Sequence, residues 1–178
     1  MATTTLTVDA SHSGIHFTAR HMVITKVRGS FKTFSGTIDY DQADPTKSKV
    51  DVSIDAASIY TADEKRDGHL KSADFFDIEK FPKLTFKSKS ISKGGAGFKV
   101  TGDLSMHGVT KEVVLDAEIE GSGKDPWGNE KVAFAAKTSV NREDFGLKWN
   151  QVLEAGGVLV SNKIDIELDI QAVKPKAG

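Results

Sequence analysis

Cysteine is missing from all 178 residues, which excludes disulfides, thiolate metal sites and thiol catalysis. Neither sign of charge prevails: 24 basic residues face 25 acidic ones, for a formal net charge of −1. That balance argues against nucleic acid as a partner, because a nucleic-acid binder carries a basic stripe. No apolar run approaches the ~20 residues that a membrane-crossing helix needs. The opening, MATTTLTVDASHSG, lacks both a basic n-region and an apolar h-region, so no signal peptide is expected. The sequence as it stands points to the cytoplasm, with the periplasm as the alternative if a leader has been cleaved. Helical periodicity is nearly absent as well. A chain of this length buries roughly 70% of the surface its unfolded form exposes, so a single domain over 1–178 needs no metal or crosslink.

What the chain has is alternation. Residues 50–56 put Val50, Val52, Ile54 and Ala56 on one face and Asp51, Ser53 and Asp55 on the other. The same period of two runs through 14–20, a long strand over 27–40, and 83–91, 98–106, 113–119, 132–140 and 164–170. Turn signals at 41–47, 92–97, 107–108 and 121–130 separate the strands. About eight one-faced strands must hide their dry faces, either in a two-sheet sandwich or in a sheet closed on itself. Long strands, short late hairpins and a single substantial helix favour the barrel. Gly29, Gly36 and Gly102 suit the bends of a small one. The helix is expected over 61–72, capped by Thr61 with Glu64 three residues on. Residues 141–157 read as a short turn or helix and a Gly-ended loop, and 172–178 as a frayed tail.

No catalytic or metal centre is assembled. His12 and His16 have the spacing of a zinc pair on a helix, but on a strand they stand ~13 Å apart. Asp9, Ser11 and His12 suggest a nucleophile system without any G-x-S-x-G elbow. Phosphate-loop motifs are absent, and no cofactor is expected. The charged run DEKRDGHLK (63–71) fits the wet side of a helix, acids first and bases last. Phe75, Phe76 and Phe81 follow it as a greasy collar at a barrel mouth, more sensitive to polar substitution than Glu64 or Lys65. Ten of the fourteen aromatics are Phe, many on dry faces that also hold Ala, Ser and Gly. An eight-stranded barrel is either just filled or holds one small ligand.

SHSGIHFTARHM (11–22), VRGSFKTFSGTI (27–38), DAASIYTADEKRDGHLKSADFFDIEKFPKLTFKS (55–88), GDLSMHGVTK (102–111) and NREDFGL (141–147) together closely resemble the YceI-like family of polyisoprenoid-binding proteins, across essentially the whole chain. The resemblance implies an all-β fold, an eight-stranded antiparallel lipocalin-like barrel with a short helix capping one end. It implies non-enzymatic binding or carrying of a long-chain isoprenoid lipid, of polyprenyl phosphate or quinone type, in an apolar pore. Homodimers are common in such a family. The expected pore and mouth residues are Phe17, Phe34, Ile38, Val52, Ile54, Phe75, Phe76, Phe81, Phe86, Phe98, Leu104, Met106, Leu115, Phe134, Ile166 and Leu168. Head-group contacts are expected from Arg20, His21 and Arg28 by their place at early strand ends, and from Arg66 and His69 by the family's R-D-x-H-L pattern. The alternatives are a binder of fatty acids or fatty amides, an enzyme acting on an isoprenoid lipid, and a filled barrel serving protein interaction.

Overall fold

Alternating wet and dry side chains become a closed ring of antiparallel strands. The computed structural model describes residues 3–21, 25–150 and 160–174. In chain order the elements are β1 (Thr4–Val8), β2 (Gly14–His21), β3 (Thr25–Phe31), β4 (Phe34–Tyr40), β5 (Lys49–Asp55), β6 (Ile59–Tyr60), α1 (Glu64–Lys71), β7 (Lys83–Gly94), β8 (Gly97–Met106), β9 (Val109–Lys124), β10 (Glu130–Asn141) and β11 (Lys163–Val173). The ring runs β1-β4-β5-β7-β8-β9-β10-β11 and closes where Thr7 and Val8 pair with Val173 and Ala172.

The remaining strands extend the first three staves. β2 continues β1 past a 3-10 turn at Ala10–His12 and pairs with β11. The expected single strand over 27–40 is broken at Lys32 and Thr33 into β3 and β4. A 3-10 turn at Ala56–Ser58 parts β5 from β6, taking Ala56 out of the expected strand. These breaks are bonded to one another: Lys32 N–H donates to Ser58 O, and Asp55 N–H to Thr33 O. Each break resets the period of two, so Phe31 and Phe34, three apart, are both buried.

The helix is shorter than expected and differently capped. Asp63 is its N-cap, accepting from Lys65 N–H and Arg66 N–H. Thr61 instead sits buried before the helix. Its hydroxyl donates to the Asp67 carboxylate and accepts from Arg66 Nε (2.8 Å), while Arg66 Nη2 donates to Thr61 O (2.7 Å). Two of the charges expected on the wet face therefore clamp the helix to the barrel.

In an up-and-down barrel, alternate connections share an end. The connection carrying α1, the His107–Gly108 turn and the segment after β10 lie together, and a core forms among them. Phe75 (6% exposed), Leu70, Phe76 and Ile78 pack with Met106, Phe145 (2% exposed), Leu147 and Trp149. His107 and Gly108 both have positive φ (54° and 74°), the type I′ geometry of a two-residue hairpin. Arg142 ties the outgoing chain in place at only 4% exposure. It donates to the carbonyls of Leu147 (2.6 Å), Trp149 (2.9 Å), Ser161 (2.9 Å) and Val160 (3.3 Å). Burial lowers its pKa, with the charge of Glu143 acting the other way. A planar guanidinium serves several carbonyls at once, which an ammonium cannot. A second, smaller cluster of Leu6, Ile38, Val132 and Ala172 occupies the opposite end. Residues 151–157 of the expected Gly-ended loop and 175–178 of the tail lie outside the described residues.

Removing the guanidinium strands buried carbonyls, each costing ~1–3 kcal/mol. Arg142→Met is expected to lower stability by about 3 kcal/mol or more, read as a fall in the urea midpoint at unchanged m-value, with Arg142→Lys recovering only part. Phe75→Ala should cost about 3–5 kcal/mol in the same assay, while Glu64→Ala stays near the wild-type midpoint.

Candidate functional site

Between the two core clusters the barrel is not filled. A cavity of ≈ 180 Å³ runs along the inner faces of β4, β5, β7, β8, β9, β10 and β11, and its lining is almost wholly apolar. It reaches the end away from α1, where Pro45 and Ser48 of the β4–β5 connection, Ile91, Phe98 and Glu118 contribute to the wall. The β4–β5 connection is built by carboxylates. Asp41 accepts from Asp44 N–H (3.0 Å), and Asp44 accepts from the N–H and hydroxyl of Thr46. The Thr46 hydroxyl chiefly holds the Asp44 pKa down, helped by the nearby charges of Lys47 and Lys93.

The void has a local cause. On β9 and β10, Ala117 stands opposite Ala136, and both line the cavity where the neighbouring strands β8 and β11 supply Phe98 and Leu168. Tyr40 also faces it, edge-on to Phe134 at 5.5 Å; burial raises the phenol pKa, so the group stays neutral.

Of the expected pore residues, Ile38, Val52, Ile54, Phe86, Phe98, Leu104, Leu115, Phe134, Ile166 and Leu168 line the cavity. Phe34, Phe75 and Met106 belong to the buried cluster at the α1 end, and Phe76 packs on it. The expected collar at the mouth is thus part of the plug at the other end, because the α1 connection and the open rim lie on opposite ends of the staves. Phe17 lies across Gly29, where a Cβ would come within 2.3 Å of its ring. Phe81 packs on the His107 ring at 4.9 Å. Val50, Val100, Val113, Ile119 and Ile170 also line the cavity and share the expected dry faces. Ile91 could not be read that way. The β7–β8 register shifts between Ser88 and Ser90, a bulge that inverts the phase of β7 and turns Ile91 inward.

Among the expected head-group residues whose side chains are described, none lines the cavity. Arg20 and Arg28 are exposed, around a polar hollow with Lys26 and Asp165. Arg66 is engaged with Thr61, as above. His69 Nε2 is 2.8 Å from an Asp74 carboxylate oxygen, its ring packed against Trp149 (4.6 Å) and Phe75 (5.1 Å). His21 ends β2, and its side chain lies outside the described residues. The suspected nucleophile system is also not one. The Ser11 hydroxyl and the Asp9 carboxylate both meet Nδ1 of His12, at 3.1 and 2.8 Å, whereas a relay needs them on opposite ring nitrogens.

The YceI-like domain profile matches residues 6–172. The chain belongs to the YceI-like family. A UPF0312 protein of Pseudomonas putida is 38% identical over 169 residues, covering 94% of this chain and 84% of the relative. The crystal structure of a Campylobacter jejuni YceI protein, 34% identical, superposes with a TM-score of 0.74 over 88% of this chain and 90% of that one. A polyisoprenoid binding domain from Saccharophagus degradans shares the fold at 15% identity, with a TM-score of 0.65 over 97% and 99% of the two chains. The eight-stranded antiparallel barrel with its short helix is therefore the family's lipocalin-like fold.

The cavity wall offers a cleaner test of occupancy than the strand glycine. A Cβ on Gly102 would meet Lys87 O at 2.5 Å and Phe86 Cζ at 2.6 Å, so Gly102→Leu overpacks the barrel whether or not the cavity is used. Ala136 faces open space across from Ala117. Ala136→Phe should lower the unfolding free energy by no more than about 1–3 kcal/mol while displacing whatever the cavity holds, read by native mass spectrometry.

Proposed function

We propose that this protein is a non-enzymatic carrier that holds the chain of an isoprenoid lipid in the barrel cavity. The observation that carries the reading is a continuous apolar cavity bounded by a plug at one end and a rim at the other. Each CH₂ buried there contributes about 0.8 kcal/mol, so a long chain gains affinity from length alone. An apolar cavity of about 150 Å³ holds a benzene-sized group. At ≈ 180 Å³ the lining must part further to admit several isoprene units. Aliphatic side chains can do this at modest cost where small residues such as Ala117 and Ala136 adjoin. Membership of a family that includes YceI proteins, and a shared fold with a polyisoprenoid binding domain, support the same reading.

Within the expected pair of lipid types, the lining favours a neutral head, of quinone type, over a phosphate. Its polar side chains are the neutral Tyr40 phenol, Ser48, Thr138 and, at the rim, Glu118, and no Lys, Arg or His among the described residues contributes to it. The Thr138 hydroxyl already donates to Val114 O. Taking a phosphate into such a site without a cation is costly. Catalysis finds no support in the lining: His12, His69 and His107 are engaged elsewhere, and among the described residues no acid–base pair faces the cavity.

The test compares a polyprenol or quinone with a polyprenyl phosphate of equal chain length, each delivered from detergent. Binding raises the unfolding free energy, by about 2.7 kcal/mol at a hundred times Kd, and the unfolding midpoint with it. The neutral lipid should bind tighter by about tenfold or more. A stronger shift with the phosphate would overturn the neutral-head reading and move the head to the lysines around the rim. A purified protein that releases no lipid on solvent extraction, and gains stability from neither ligand, would sink the carrier role itself.

A further inference from the structure

The turn between β9 and β10 presents Trp127 to solvent at 72% exposure, the most exposed of the large hydrophobic side chains among the described residues. The turn does not leave it there by looseness. The Asp125 carboxylate accepts from Trp127 N–H, Asn129 N–H and the Asn129 side-chain amide, each at 2.9 Å. Gly128 N–H donates to Asp125 O, and Asp125 N–H to Asn129 O. Gly128 takes the positive φ of 84° that the reversal needs. These bonds, led by the Asn129 amide, lower the Asp125 pKa to about 2, so the turn keeps its anchor at any ordinary pH. A large ring is thus held outward on a rigid mount, although burying it would have been favourable.

Position gives the ring a use. The hairpin that carries it also supplies Ile119 and Phe134, directly opposed, to the cavity wall. Its tip lies at the same end of the barrel as the Pro45–Ser48 rim and away from the α1 plug. Around Trp127 the tip holds Lys124, Asp125, Pro126, Gly128, Asn129 and Glu130, with no contiguous apolar area. A stable protein partner needs roughly 800 Å² per side with an apolar centre, which one ring does not provide. A lipid bilayer takes up single amphipathic rings at head-group depth, where tryptophan concentrates, and the neighbouring Lys124 supplies a cation for the phosphates. We propose that the Trp127 turn is a bilayer-docking point: the barrel lands rim-first on a phospholipid surface, and cargo passes between bilayer and cavity without crossing water. The transfer half of this rests on the carrier reading above; the docking half does not.

Trp127 and Trp149 are the only tryptophans, so fluorescence reads the proposal directly. The full chain is titrated with phosphatidylcholine vesicles, with and without phosphatidylglycerol. The wild-type spectrum minus that of Trp127→Phe isolates the ring. A blue shift on vesicle addition, with co-sedimentation that Trp127→Ser abolishes, is expected. Trp127→Ser should also slow the transfer of a fluorescent polyprenol from vesicle to protein by about tenfold, while equilibrium binding of the same polyprenol from detergent is unchanged. Absence of the vesicle-induced shift overturns the docking point, as does a shift that follows protein concentration rather than lipid, which would assign the ring to a second copy. Docking with no polyprenol bound from either source would instead count against the carrier reading and leave the docking point standing.

Discussion

Everything in this barrel depends on what β11 does with one edge. Its pairing to β10 is long and regular, from Lys163 opposite Asn141 to Val173 opposite Lys131. On the other edge it meets two partners in succession: β2 over Gly14–Thr18 and β1 at Thr7 and Val8. The 3-10 turn at Ala10–His12 moves the N-terminal stave from one partner stretch to the next. Ser13 fastens that junction, its hydroxyl accepting from Gln171 N–H at 2.9 Å. Without this closure the dry faces of eight strands would open to water, and two strand edges would be left unpaired.

Closure alone would give either a solid barrel or a hollow one, and the distribution of bulk decides between them. The aromatics and the α1 connection crowd one end; Leu6, Ile38, Val132 and Ala172 hold the other. Between them the alanines of β9 and β10 leave a gap. Unfilled, ≈ 180 Å³ carries a penalty on the order of 4 kcal/mol at ~24 cal/mol per Å³. A sequence under pressure for stability alone would close such a gap with larger side chains, for instance at Ala117 and Ala136. Its retention is easiest to understand if an apolar occupant supplies the missing contacts, and the plug then serves as the floor on which the occupant rests.

Much of this was legible in the chain. Alternation in 50–56, 98–106 and 164–170 carries strand identity and the inward face together, so ten of the expected pore residues face the cavity. Alternation alone fits a sandwich as well; long strands, short late hairpins and the single helix favoured the barrel, and the resemblance implied the same. What escaped was everything set by a phase change. The breaks at Lys32–Thr33 and Ala56–Ser58, the bulge at Lys89 and the 3-10 turn at Ala10–His12 each reset the period, and none has a glycine or proline to mark it. The sense of the barrel was misjudged for a different reason. Strand counting tells which connections share an end, but which end stays open depends on how much apolar bulk each connection folds inward. Phe75, Phe76, Phe145 and Leu147 come from separate connections, and only their convergence makes a plug. Arg66 and Asp67 read as solvated charge because their partner, Thr61, lies outside the helix and offers no carboxylate.

The outer surface answers how register is kept when one slipped residue would reverse every face. Around the ring, Lys99, Asp116, Lys137, Glu167 and His16 stand in successive opposite positions on five strands, acid alternating with base. Such exposed pairs are weak in water, yet a slipped strand would set like charges side by side and carry carboxylates into an apolar cavity. Alternation fails where Asp103 stands directly opposite Glu112. The same bulge that turns Ile91 inward resolves it, because Lys89 reaches Glu112 at 3.0 Å and Asp103 at 3.8 Å. A single inserted residue on β7 thus completes the cavity wall on the inside and the charge pattern on the outside. Deleting it would upset both faces together, which ties the hollow interior to the surface that keeps its strands in step.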